Sequence, residues 1–183
     1  MIRLALVIGL SLLARPVVAT NWTVDPMSSE IAFSGTHLGD VFEGVFEKWS
    51  SDISFDPANL GAAHVRVVVL TGSAKTGNKL YDGTLDSGDW FNVDRHPQAV
   101  FVATGFTAKD ADRYSAVGVL TIKDNSVPLT LEFTLGIEDG TVTMNAKHML
   151  DRTKLGLGVG SDPEGKWVSR EIFVDIQVVA TAR

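Results

Sequence analysis

The side chains best able to do acid–base or metal chemistry in this sequence are four histidines, His37, His64, His96 and His148. No two of them stand at the i, i+2 spacing of a strand or the i, i+4 spacing of a helix that would aim two imidazoles at one metal. The chain has no cysteine, which removes a thiol nucleophile, a thiolate-held metal and a cysteine-linked lipid anchor. Lys75-Thr76-Gly77 matches a fragment of the penicillin-recognising signature, but no serine has the lysine three positions later that this chemistry needs. No Gly-x-Ser-x-Gly elbow occurs either. The glycines at 156, 158 and 160 follow a strand-like run with no helix behind them, so they lack the helix start that aims amides at a phosphate. They read as a mobile loop, with Asp151 and Arg152 free to form ion pairs at its root. Asp110 and Asp112 read as a solvated hairpin tip. These residues predict no enzyme, no metal and no cofactor; the chain is expected to act by binding.

Two histidines stand out by position. His37 is in phase with Ile31, Phe33 and Gly35, and His148 with Val142, Met144 and Ala146, so both have inward parity if their strands run that far. Each is either a polar anchor for a ligand or a structural histidine paired with a backbone carbonyl. Trp49, Trp90, Phe91 and Trp167 fall at strand ends or in an interruption, where they either rim a cavity mouth or plug a barrel end.

The elements that must position these residues are strands. Ile172, Val174, Ile176, Val178 and Ala180 share one face, and Leu129, Leu131, Phe133, Leu135 and Ile137 share another. Val65, Val67 and Val69 form a third stripe, and parity adds Ile31, Phe33, Phe42, Phe46, Ile53 and Phe55. Turn signals at Asp56-Pro57, Asp110–Asp112, Asp124-Asn125 and Asp139-Gly140 separate the runs, implying an antiparallel sandwich or barrel. Residues 78–91 lack alternation and read as one or two helical turns. Periodicity alone does not choose between a filled sandwich and a barrel that lines a cavity.

Residues 1–19 read as a secretory signal: Arg3, an apolar stretch from Leu4, then Val17-Val18-Ala19. The rest, 20–183, is the size of one domain, and a periplasmic location follows from the signal. The net charge of −6 argues against nucleic acid and against electrostatic docking on anionic lipid. Any membrane contact is then apolar, transient or mediated by a partner.

At the level of motifs the chain resembles the YceI-like family of polyisoprenoid-binding proteins. The matching stretches include Trp22-Thr23-Val24-Asp25-Pro26, Ile53-Ser54-Phe55-Asp56-Pro57, Ser73-Ala74-Lys75-Thr76-Gly77, Asp89-Trp90-Phe91 and Pro97-Gln98-Ala99-Val100-Phe101. Asp89-Trp90-Phe91 and Asp151-Arg152 resemble the variant associated with b561-type membrane cytochromes. Ser28 departs from a histidine common in the family, and Asn125-Ser126-Val127 departs from the usual run before the proline. The resemblance implies an all-β fold, a single eight-stranded antiparallel lipocalin-like barrel with one short helical insert, holding an isoprenoid, a quinone or a similar lipid. Expected tunnel walls are Phe33, Phe42, Phe46, Val67, Leu131, Phe133, Met144, Ile172 and Val174, with His37 and His148 as polar anchors. Transient contact with a membrane or membrane cytochrome, homodimerisation, and a ligand-free barrel serving protein contacts stay open.

Overall fold

The computed structural model describes residues 20–183; the expected signal segment, 1–19, lies outside the described residues. Its strands are β1 (Asn21–Val24), β2 (Glu30–His37), β3 (Asp40–Phe46), β4 (Trp49–Ser54), β5 (His64–Leu70), β6 (Ala74–Lys75), β7 (Gln98–Ala108), β8 (Arg113–Ile122), β9 (Asn125–Glu138), β10 (Thr141–Asp151) and β11 (Glu171–Ala182). A single α-helix, α1 (Lys79–Asp86), interrupts them between β6 and β7. No helix among the described residues is long and apolar enough to cross a membrane.

The strands pair in the order β1-β4-β5-β7-β8-β9-β10-β11, and β1 pairs back onto β11, closing an antiparallel ring of eight. Closure depends on the short β1, which places Trp22 opposite Ile53 on one side and Ala182 on the other. Farther along β11, β2 replaces β1, setting Phe33 opposite Val174 and Ile31 opposite Ile176. The β2–β3 hairpin and β6 continue the wall there. Hence the ring is a barrel, the alternative that parity left open.

Alternation decides which residues face in. β10 and β11 pair from Thr141↔Thr181 to Asp151↔Glu171 without a slip, so Met144, Ala146, His148 and Leu150 share the inner face with Val178, Ile176, Val174 and Ile172. Tight turns hold the register: Asp139 and Gly140, between β9 and β10, both have positive φ, as two-residue hairpins require. Gly44 is needed for packing, because a Cβ there would lie 2.4 Å from the Phe33 ring.

Two clusters close the barrel interior. Phe55, Tyr114 and Phe133 pack at one end with Ala103, Ala116 and Leu131, Tyr114 stacking on Phe133 at 5.6 Å between ring centroids. Phe33, Phe91, Ala99, Ile122, Leu155 and Leu157 pack at the other, with Trp90 and Leu85 against them. Helix α1 covers this second end. Its N-cap Asn78 accepts from the amides of Leu80 and Tyr81, and Asp82 accepts from Thr76 at 2.7 Å.

An enclosed apolar cavity and its polar contacts

The inner face leaves a cavity of about 260 Å³, just below the ~300–1,000 Å³ usual for small-molecule sites. Phe33, Phe42, Phe46, Val67, Leu131, Phe133, Met144, His148, Ile172 and Val174 all line it. The wall also includes residues outside the expected set, among them Trp22, Trp49, Ser51, Phe101, Leu129 and Arg152. Trp49, Ser51 and Ile53 alternate along β4, so the signal for Ser51 was present in parity and masked by its polarity.

His37 does not line the cavity. It is the last residue of β2, and its Nδ1 meets the Tyr81 hydroxyl of α1 at 3.0 Å. Its inward parity is real, but the strand ends there, so the ring meets the helix covering the barrel instead of the interior. His37 is thus a structural histidine, paired with a tyrosine instead of a carbonyl.

His148 sits on β10 between Ala146, part of one end cluster, and Leu150, packed on the other. It makes no hydrogen bond among the described residues, and burial lowers its pKa, so the ring stays neutral at neutral pH. A neutral imidazole offers one donor and one acceptor. Ser51, on β4, also faces the cavity without a hydrogen bond among the described residues. No hydrogen bond joins the two, so the arrangement offers polar contacts and lacks an activated nucleophile.

Arg152 is the third polar wall residue and is 1 % exposed. Each of its nitrogens donates: Nε to the Ser169 carbonyl, Nη1 to the Leu157 carbonyl at 2.7 Å, and Nη2 to Asp162 and the Val168 carbonyl. Asp162 in turn accepts from the amides of Lys166, Trp167 and Val168. Burial opposes the Asp162 charge, but these amides and Arg152 hold its pKa below the ordinary carboxylate value. The guanidinium lies over the Trp90 ring at 5.2 Å, and a Cβ on Gly158, whose φ is +67°, would strike both.

The glycine-rich segment is tied down by side-chain contacts, and Gly156 and Gly158 take the positive φ angles that glycine permits. Asp89 accepts from Gly160 and Ser161, Lys123 donates to the Gly88 and Gly156 carbonyls, and Asp151 binds Arg170 at 2.8 Å. This network packs Trp90 and Phe91 as a plug, not a mouth; Phe91 is buried. Asp151 and Arg152 do form ion pairs at the segment's root, with Arg170 and Asp162, partners that the sequence did not name.

The closed antiparallel barrel, the helix over one end and the apolar cavity within define a lipocalin-like protein. The chain belongs to the YceI-like family, whose domain model matches residues 22–180. A UPF0312 protein of Yersinia enterocolitica is 35% identical over 72% of this chain and 70% of its own. Protein YceI of Shigella flexneri is 32% identical over 67% of this chain and 65% of its own length. Among solved structures, BcnA of Burkholderia cenocepacia superposes with a TM-score of 0.83 at 26% identity, covering 87% of this chain and all of BcnA. A polyisoprenoid binding domain from Saccharophagus degradans, with a TM-score of 0.73, covers 90% of this chain and 99% of its own at 12% identity, a likeness of fold alone.

Proposed function

We propose that this protein binds an isoprenoid-type lipid inside the barrel and carries or sequesters it in the periplasm. The observation that carries this reading is the cavity, lined from every side by aliphatic and aromatic side chains. Each CH₂ moved from water into such a wall contributes about 0.8 kcal/mol, so a prenyl chain binds without many polar contacts. Family membership and the ligand named for the Saccharophagus domain support the same class. The periplasmic assignment rests on the signal-like residues 1–19.

The polar wall residues narrow the head group. An anionic phosphate buried here would need a free cation, but the Arg152 guanidinium is already paired with Asp162 and three backbone carbonyls. His148 is neutral, which suits an uncharged oxygen: an alcohol, a phenol or a quinone carbonyl. A quinone head would permit the second role, an electron-transfer accessory to a membrane cytochrome, through the same site.

Native mass spectrometry of the protein purified from its periplasm, with organic extraction of the same sample, tests the reading. A stoichiometric adduct with the mass of an uncharged prenyl lipid or quinone is expected. A clean protein mass that persists after incubation with such lipids would overturn it.

A further inference from the structure

After Met27, the four most exposed large hydrophobic residues are Leu80 at 74 %, Val41 at 72 %, Leu38 at 68 % and Trp167 at 54 %. They come from three segments that meet at the α1 end of the barrel. The Leu38 amide donates to the Trp167 carbonyl at 2.7 Å, and His37 bridges to Val168. Val41 faces Thr36 just past the β2–β3 turn, and Leu80 precedes the tyrosine that binds His37. From this convergence we propose that the tip docks on an uncharged phospholipid bilayer, so that an apolar ligand passes between the membrane and the cavity. The ligand-transfer half of this proposal rests on the lipid-binding reading above; the docking half does not.

Leu38 carries the most telling geometry. Its φ is +54°, in the left-handed region that suits glycine or asparagine, and Gly39 follows at +94°. An exposed leucine there is unfavourable for both backbone and hydration, and packing in the barrel gives it nothing in return. Strain kept at an exposed apolar tip points to a task outside folding.

Charge selects the kind of surface. The ionised residues adjacent in sequence to these four are Asp40, Lys79 and Lys166, and Lys166 pairs with Glu164 at 2.7 Å. This mixture supplies no basic field for anionic headgroups, so docking must be by apolar insertion, which an electrically neutral bilayer satisfies. Tryptophan and lysine side by side, as at Trp167 and Lys166, suit the membrane interface. Four side chains standing out from three segments also make a poor match for a protein partner, which typically covers about 800 Å² per side.

The tip is continuous with the cavity wall. Phe42 of β3 and Leu85 of α1 line the cavity, and Tyr81 packs edge-on against Phe42 with 6.3 Å between centroids. Helix α1 has no fully buried residue of its own, so the element bearing Leu80 covers the barrel end without burying any of its side chains completely.

The test is flotation of the purified protein, without added prenyl lipid, on phosphatidylcholine vesicles. The wild type should float, with tryptophan emission quenched by brominated acyl chains. The triple variant Leu38→Asn, Leu80→Gln, Trp167→Gln should bind about tenfold less while still taking up a prenyl alcohol from detergent. Leu38→Asn alone should lower vesicle binding yet raise the thermal midpoint, a pairing that a purely structural leucine would not produce. Failure of the wild type to float, or equal flotation of the triple variant, would overturn the docking. So would flotation only on phosphatidylglycerol vesicles with release by salt, or a dimer abolished by the triple variant without flotation. Flotation without uptake of prenyl alcohol would uphold the docking and sink the lipid-binding reading.

Discussion

His148 is a neutral imidazole facing an apolar cavity with no hydrogen bond among the described residues. The residue is half-buried and opens on the cavity, and an apolar ligand that displaces water there leaves its ring nitrogens unpaired unless a head group meets them. His148→Leu should therefore weaken binding of a prenyl alcohol or quinone by about 2- to 10-fold and leave a head-less prenyl hydrocarbon unaffected. Equal loss for both ligands, in a fluorescence titration, would reduce His148 to wall. The two inward histidines also show how far parity reaches. Residue alternation places His148 correctly because β10 runs on to Asp151, whereas β2 stops at His37 and hands that ring to Tyr81.

Among the elements, the segment from Asp151 to Arg170 is where acid should act first. Burial raises the Asp151 carboxyl, but hydrogen bonds from Thr153 and Arg170 outweigh it and hold the pKa at about 2, against an ordinary 3.8. Asp89 and Asp162 are lowered as well, by donors from this same segment. A carboxyl depressed on folding stabilises the protein above its unfolded pKa, and that contribution disappears as pH falls through the folded value. The thermal midpoint should thus drop between about pH 4 and pH 2, with Asp151 accounting for about 1–2 kcal/mol after allowance for screening. Asp151→Asn should lower the midpoint at pH 7 and flatten its dependence on pH over that window. An unchanged slope would remove Asp151 from the account. Glycine content had suggested mobility here, because the carbonyls that Arg152 and Lys123 collect leave no trace in residue type.

At the scale of the whole molecule, the proposed lipid binding depends on the space left between two packed ends. Leu129 lines the cavity and belongs to neither end cluster, so a larger side chain there has space to enter. Leu129→Trp should fill the cavity, leave the far-ultraviolet dichroism unchanged and abolish the lipid adduct in native mass spectrometry. Retention of a stoichiometric adduct would place the ligand elsewhere. Alternation alone did not show that space, since a filled sandwich and a hollow barrel share the same alternation, and only the motif resemblance implied it. The difference is made by β1, four residues that pair with both β4 and β11 and so convert a sheet into a ring.

Which face of each long strand is apolar, where the turns fall and where the helix interrupts were settled by the sequence, because side-chain alternation and turn chemistry are local properties of the chain. The motif resemblance added the barrel, and with it the expectation of a lipid ligand. Closure, the plugging of one end by Trp90 and Phe91, the pairing of Arg152 with Asp162 and the meeting of Leu38, Leu80 and Trp167 at one tip were decided by tertiary structure. Each of these joins residues far apart along the chain, and only the packing of the strands around a common axis sets the distances between them.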